Sequence, residues 1–302
     1  MLVQSRFDEL YQLEDKRVLL LRDLSVAVVV GYQHPPGNYV AYIKYVYTGK
    51  GIWRGYERVV KRYSPTDVMV GRIVYDPNFS SEVPVVSKSE IVSAPDPLRR
   101  MMEIVKSPKE DLEERALEVK EKVRGTLGIG GSLLLKIHHK KSDLDMLVYD
   151  RYEDIWYELK DFGEDEIEWV INVSKRLGLD PEYVYKNYYS KAIRSVYKGI
   201  PLSFSYVKKG FRENYGTFPQ PTNRIFEGKI ELDDPDERTF LYPHVRRGSI
   251  NIISFESAFL RPMVECDKLW VRGKVFSDGD REYVVLGIKE YFGSMKPASI
   301  CR

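Results

Sequence analysis

Two short segments, a glycine-rich turn and an acidic pair, carry the residue types that phosphate and metal chemistry need. The turn is Gly128-Ile129-Gly130-Gly131-Ser132, and the pair is Asp143 and Asp145. Glycines let backbone N–H groups approach a phosphate, and a hydroxyl or a helix that begins at the turn strengthens its binding. Alternate residues of a strand point to one face, so the two carboxylates converge and are suited to divalent cations. These residues predict a site for a metal-bound polyphosphate.

The spacing of the two segments indicates whether they form one site or are two unrelated surface features. A Gly-Ser turn is often only a turn, and an Asp-x-Asp at a strand edge is commonly a solvated pair. Ten residues separate Ser132 from Asp143, which is enough for a short helix that returns the chain beside the first strand. The apolar run Met146-Leu147-Val148 then places the carboxylates at the start of a buried strand. The combination favours one site.

The elements around this site change along the chain. Strand-like patterns dominate before it and again in the last hundred residues, and helical spacing dominates the middle. We therefore predict an α+β protein with a central α/β core and a mixed sheet. The predicted parts are a β-rich N-terminal domain over residues 1–97, the core over 98–210 and a β-rich C-terminal region over 211–302. A short helix is expected in residues 1–15.

Composition and charge limit the classes of function. The 302 residues include 47 basic and 45 acidic side chains, a net charge of +2 that argues against wrapping nucleic acid by bulk charge but leaves a local basic patch open. Two cysteines cannot form a disulfide framework or a four-ligand zinc site, and the penultimate Cys301 is expected to be mobile.

Features of targeting and lineage predict a cytoplasmic protein. No signal peptide pattern occurs at the N-terminus, and the apolar run from Val26 to Val30 is too short to span a bilayer, so no membrane partner is expected. Scarce glutamine with dense opposite charges is typical of thermophiles, although chance and lineage bias produce the same pattern. The sequence carries no signal for an oligomeric state.

The motif resembles the signature of the DNA polymerase β-like nucleotidyltransferases. The matching residues are Gly131-Ser132 and, ten residues later, Asp143-Leu144-Asp145-Met146-Leu147-Val148. The chain also resembles a group of uncharacterised archaeal predicted nucleotidyltransferases at residues 31–37, 133–150 and 240–243. The resemblance implies a nucleotidyltransferase core in which Asp143 and Asp145 bind Mg²⁺ or Mn²⁺. It also implies that Gly130, Gly131 and Ser132 bind a nucleoside triphosphate.

The resemblance also implies a third carboxylate on a neighbouring strand, as metal ligand or general base. The strand over residues 202–207 carries serines where that acid is expected. Glu231, between Ile230 and Leu232, has an apolar–acid–apolar pattern and is our candidate for the third catalytic acid after Asp143 and Asp145. Asp233 is the second candidate.

Basic and aromatic residues elsewhere allow two interpretations. Residues 136–141 are rich in Lys and His. Lys141 is our candidate for a triphosphate contact there, and a solvated loop rim is equally consistent. Aromatic and basic residues alternate over 39–62, which suits either base stacking with phosphate contacts or ordinary strand packing. Zinc binding by His138 and His139 is not expected, because no third ligand follows at the usual spacing.

The predicted function is transfer of a nucleoside monophosphate from a nucleoside triphosphate to an acceptor. The attack of an acceptor hydroxyl on the α-phosphate would release pyrophosphate. The acceptor classes left open are a nucleic-acid end, a protein hydroxyl and a small molecule. The alternative is a catalytically inert nucleotide- or nucleic-acid-binding protein on the same fold.

Overall fold

The computed structural model describes residues 13–60 and 67–301 of the chain. These residues form three β-sheets connected by short helices, a mixture that agrees with the predicted α+β class. The helix expected in residues 1–15 lies almost entirely outside the described residues. Within the two described ranges, no helix has both the length and the apolar character that crossing a bilayer requires.

The first sheet has seven antiparallel strands in the order β5-β6-β3-β2-β1-β7, and β4 also pairs with β3. Its strands are β1 (Val18–Leu21), β2 (Val26–Val29), β3 (Asn38–Gly51), β4 (Gly55–Arg58), β5 (Arg72–Asp76), β6 (Ser81–Ser87) and β7 (Ile91–Ser93). Val26 pairs with Tyr45 and Ala27 pairs with Ile43, so Lys44 is an extra residue in β3. Such a β-bulge re-aims the side chain that it carries.

The second sheet contains the predicted acidic pair and has four strands in the order β10-β11-β9-β8. Strand β9 runs parallel to β11, whereas the outer pairs are antiparallel, so the sheet is mixed as predicted. Its strands are β8 (Leu127–Ile129), β9 (Leu144–Val148), β10 (Arg194–Tyr197) and β11 (Ile200–Tyr206). Its helices are α1 (Pro97–Lys106), α2 (Asp111–Lys122), α3 (Gly131–Leu134), α4 (Tyr152–Leu159), α5 (Ile167–Leu177) and α6 (Pro181–Asn187).

The third sheet has the order β12-β15-β16-β14-β13, and β17 also pairs with β15. Its strands are β12 (Gln220–Glu231), β13 (His244–Arg246), β14 (Asn251–Ser254), β15 (Lys268–Ser277), β16 (Glu282–Leu286) and β17 (Ser294–Pro297), with helices α7 (Glu237–Phe240) and α8 (Leu260–Glu265). Cys301 forms a disulfide bond with Cys266 and packs against the hydrophobic cluster of this sheet. The expectation that Cys301 is mobile was therefore wrong, because covalent pairing fixes it.

Hydrophobic packing joins the second sheet and its helices to both of the other sheets. Tyr45 of the first sheet shares one buried cluster with Leu144 and Met146 of β9. A second cluster joins Val170 of α5 to Leu269 of the third sheet. Burying each such side chain contributes about 1.5–3 kcal/mol, so the apolar residues of β9 anchor the strand and hold its polar first residues in place.

Candidate metal and phosphate site

Asp143 immediately precedes β9, and Asp145, the second residue of β9, belongs to a row of side chains that crosses the second sheet. The Gly130 N–H donates to the Asp145 carbonyl oxygen at 2.8 Å. On the other side of β9, Ser203 is the register partner of Asp145, and its hydroxyl donates to Asp145 Oδ1 at 2.5 Å. Arg194 is in turn the partner of Ser203 on β10. Register partners point to the same face, so Gly130, Asp145, Ser203 and Arg194 form one row across four strands.

Gly131 permits the close approach of the turn to the carboxylate. Its φ is +56°, in the left-handed region that favours glycine. A Cβ atom at this position would lie 2.0 Å from Asp145 Oδ2, closer than any real van der Waals contact. The structure thus brings together the predicted residues Gly130, Gly131, Asp143 and Asp145, with Ser132 buried beside them.

The helix that begins at this turn is too short for its dipole to contribute much to anion binding. Helix α3 contains only the four residues Gly131–Leu134. Its first N–H groups have no partner within the helix and remain suited to phosphate oxygens. A single turn sums few peptide dipoles, so the backbone N–H groups, and not a helix dipole, are what the turn offers to an anion.

The carboxylates of Asp143 and Asp145 interact strongly, and their pKa values shift in opposite directions. The negative charge of Asp145, followed by burial, raises the pKa of Asp143. Burial alone would raise the pKa of Asp145 as well, but the charge of Lys44 and the hydrogen bond from Ser203 outweigh it and lower that pKa. Two such groups titrate as a pair, so at neutral pH the site carries closely spaced negative charge.

Three basic side chains from two different sheets surround the pair. Lys44, at the β3 bulge, and Arg58, on β4, both lower the pKa of Asp143 and of Asp145. Arg194 places its Nη1 3.8 Å from Asp143 Oδ2. The first sheet thus contributes positive charge to a site whose carboxylates belong to the second.

Glu166 is a nearby acid that the sequence did not single out. It precedes α5, and its Oε2 lies 3.3 Å from Arg194 Nε. Burial raises its pKa, and the charge of Asp143 raises it further. Arg194 therefore bridges Asp143 and Glu166. No sequence signal distinguished Glu166 from its acidic neighbours Glu164 and Asp165.

The structure does not bring Glu231 to the aspartate pair. Glu231 is the last residue of β12 in the third sheet, its side chain is 74% exposed, and its Oε1 lies 2.8 Å from Lys268 Nζ. Asp233 follows two residues later, and its N–H donates to the Arg247 carbonyl. The strand next to β9 is β11, and its residue facing Asp145 is Ser203. A serine therefore stands where the resemblance implies the third acid.

The other basic, histidine and aromatic residues considered from the sequence are exposed, ion-paired or packed in the structure. Lys141 is exposed in the turn that precedes β9. His138 Nε2 lies 2.8 Å from Glu110 Oε2, and the His139 ring packs 5.1 Å from the Trp53 ring. Among the described residues, no three His, Cys, Asp or Glu side chains are grouped so as to hold a metal ion. In segment 39–62 the tyrosines at positions 39, 42 and 45 are buried, which agrees with strand packing.

The aspartate pair nevertheless suits a divalent cation that other ligands help to hold. The raised pKa of Asp143 reflects repulsion from Asp145, and a cation between the two carboxylates would relieve it. Carboxylate oxygens are the ligands that Mg²⁺ prefers, and Mg²⁺ is usually bound by one or two of them together with water and substrate phosphates. No family model, curated protein or solved structure matches the chain significantly, so its function is inferred from this geometry.

Proposed function

We propose that the chain is a Mg²⁺- or Mn²⁺-dependent nucleotidyltransferase that transfers a nucleoside monophosphate from a nucleoside triphosphate to an acceptor hydroxyl. The observation that carries the proposal is the packing of Asp145 directly against the Gly131 turn, with Asp143 two residues away in the chain. Metal-binding carboxylates and phosphate-binding N–H groups are thereby within reach of the same ligand. A metal-bound triphosphate is a ligand that uses both.

Each group of the site has a role in this proposal. Asp143 and Asp145 would hold the cation, which when bound withdraws charge from the phosphate oxygens. The N–H groups of Gly131 and Ser132 would bind the phosphate tail. Arg194 would compensate the charge that develops during transfer, together with the lysine and arginine of the first sheet. The acceptor oxygen forms a bond to the α-phosphorus, the bond from that phosphorus to the bridging oxygen breaks, and pyrophosphate leaves.

One observation favours the alternative, a protein that binds nucleotide without turnover. Ser203 occupies the position beside Asp145 at which the resemblance implies a third carboxylate. A serine hydroxyl is a weaker base and a weaker metal ligand than a carboxylate. Binding and transfer therefore have to be measured separately.

Thermal unfolding with each of the four nucleoside triphosphates, with and without Mg²⁺, tests binding. A ligand at a hundredfold excess over its Kd stabilises by about 2.7 kcal/mol, which corresponds to a Tm increase on the order of 5 °C. We expect this increase for at least one triphosphate, only with the cation. The double variant Asp143→Asn/Asp145→Asn should lose it, whereas Asp161→Asn, at an exposed aspartate, should keep it.

Transfer is then measured with α-labelled triphosphate and the three classes of acceptor. Label in an acceptor that disappears in the double variant supports the enzyme. Binding without transfer in every acceptor class supports the inert alternative. A metal-dependent Tm increase that persists unchanged in Asp143→Asn/Asp145→Asn contradicts the proposed site.

A further inference from the structure

A cavity of about 370 Å³ lies between the first and third sheets. Its wall is mainly apolar and aromatic, with contributions from Tyr42, Met69, Val83, Phe218, Phe255 and Phe276. Two stretches that the sequence resemblance had marked, residues 31–37 and 240–243, also meet there through Tyr32 and Tyr242. Concave sites of about 300–1,000 Å³ with such walls are typical of small-molecule binding.

Hydrogen bonds through Asn78 join two loops of the first sheet to the segment that precedes β12, next to the cavity. The Asn78 amide donates to Gln33 Oε1 at 2.8 Å. The Asn78 Oδ1 accepts from the N–H groups of Gly216, at 3.0 Å, and Phe218, at 3.1 Å. Asn78 is buried, so these bonds are shielded from water. These bonds connect the two sheets at one edge of the cavity.

Three elements run from the cavity wall to the aspartate pair. On β3, Tyr42 lines the cavity, and Lys44, two residues on, acts on both aspartates. Ile193 lines the cavity, and the next residue, Arg194, contacts Asp143. Trp169 lines it too and lies one turn into α5, whose N-cap carboxylate contacts Arg194. Lys44, Arg194 and the N-cap carboxylate are thus one to three residues along the chain from the cavity wall.

The chain connection through Arg194 reaches the pair on the side opposite to the phosphate turn. In the row across the second sheet, Gly130 is at one end, beside β8, and Arg194 is at the other, on β10. Ile193 brings the cavity to the Arg194 end. In phosphoryl transfer the attacking and leaving oxygens are roughly in line, on opposite sides of the phosphorus. With the phosphate tail at Gly131, an in-line attacking oxygen would approach from the Arg194 end of the row, next to Ile193 of the cavity wall.

The charges of the wall favour a neutral occupant. Four basic and four acidic side chains line the cavity, so the wall has no net charge. Arg176 is ion-paired with the buried Glu256, and Lys289 Nζ lies 3.3 Å from Glu82 Oε2. Nucleic acid requires a groove with net positive charge along its backbone. The cavity lacks that property.

We propose that this cavity binds the acceptor, and that the acceptor is a small, neutral molecule with an aromatic or apolar body and a reactive hydroxyl. This inference rests on the proposed nucleotidyl transfer. The acceptor oxygen bonds to the α-phosphorus as pyrophosphate departs, and the hydroxyl proton passes to water. A nucleic-acid end is thereby set aside as the principal acceptor.

Binding of 2-naphthol, measured by calorimetry, tests the cavity, with 2-naphthoate as its charged analogue. Val83→Trp fills part of the cavity, and Val92→Trp, at a 62% exposed valine on β7, is the matched control. We expect the variant Val83→Trp to weaken 2-naphthol binding at least about tenfold, since a filled pocket excludes its ligand. Val92→Trp should not change it, and 2-naphthoate should bind more weakly than 2-naphthol. Val68→Phe, at another wall residue, provides the same test if Val83→Trp does not fold.

The outcomes separate this inference from the proposal on which it rests. With α-labelled triphosphate and Mg²⁺, label should enter 2-naphthol, and Val83→Trp should abolish this transfer while the triphosphate-dependent Tm increase persists. If the Tm increase occurs but 2-naphthol binding is absent or insensitive to Val83→Trp, the acceptor inference is overturned alone. The same holds if label enters an oligonucleotide equally well in Val83→Trp. If no triphosphate binds, the proposed nucleotidyl transfer and the acceptor inference are both contradicted.

Discussion

The contact between Gly131 and Asp145 allows a sharp test of the site, the substitution Gly131→Ala. The added Cβ would lie 2.0 Å from Asp145 Oδ2, whereas real Cβ atoms essentially never come closer than 3.0 Å to another atom. The carboxylate must therefore move by about 1 Å or more. Its other oxygen accepts the 2.5 Å hydrogen bond from Ser203, so that movement also strains this bond.

The cost of the substitution has two parts, and Gly178→Ala separates them. Gly178 also has a positive φ, +66°, but a Cβ there has no neighbour within 4 Å. Both variants should lose about 1–2 kcal/mol because alanine disfavours the left-handed region. Only Gly131→Ala also displaces Asp145, and a misplacement of about 1 Å in an active site can cost about 100-fold in rate.

Urea unfolding measures the first part of the cost, and Mn²⁺ binding followed by electron paramagnetic resonance measures the second. We expect both variants to lose similar backbone stability, with an additional loss for Gly131→Ala. We expect only Gly131→Ala to weaken Mn²⁺ binding, by about tenfold or more. If Gly131→Ala matches Gly178→Ala in stability and binds Mn²⁺ like the wild type, the inferred approach of the turn to the carboxylate is incorrect.

Three further substitutions test other features. Ser203→Asp supplies a third carboxylate beside Asp145. It should raise the affinity for Mn²⁺ about tenfold and lower the stability of the metal-free protein. An unchanged Mn²⁺ affinity would contradict this prediction. Burial lowers the pKa of His244 to about 3. Because the unfolded state then takes up the proton first, stability should fall by about 2 kcal/mol from pH 7 to pH 5, and His244→Gln should reduce this fall in urea unfolding. If it does not, another group is responsible. Cys301→Ser removes a disulfide bond between residues 35 positions apart and should lower the free energy of unfolding by about 4 kcal/mol. A wild-type Tm that does not change on reduction would contradict this expectation.

The parts of the site that are local in sequence could be predicted, because strand geometry alone determines them. Two carboxylates spaced i and i+2 on a strand share a face in any fold, and a short return segment brings them to the preceding turn. Gly131, Asp143 and Asp145 meet in the structure for this reason. The requirement for glycine at position 131 was predicted from phosphate access, and the structure adds the carboxylate contact as a second cause.

The parts that depend on long-range pairing could not be predicted. Glu231 has the alternation of any half-exposed strand, and nothing in that pattern indicates which strand pairs with β9. Ser203 became the partner of Asp145 through the parallel register of β9 and β11. Lys44 reaches the site through a bulge that one residue of slip creates, and a pattern of period two cannot reveal such a slip. Cys301 likewise meets Cys266 only in the folded chain.

The β3 bulge also bears on how the molecule folds. Lys44 and Asp145 are roughly 100 residues apart in the chain, and Arg194 is about 50 residues further on. Closing loops of that length is entropically costly and slow, so contacts between such distant segments tend to form after local structure. The glycine turn and the strand with the aspartate pair can assemble early from neighbouring residues. The positive charges of Lys44 and Arg58 arrive only when the first sheet docks, so the aspartate pair passes through a stage in which its repulsion is less balanced than in the native state.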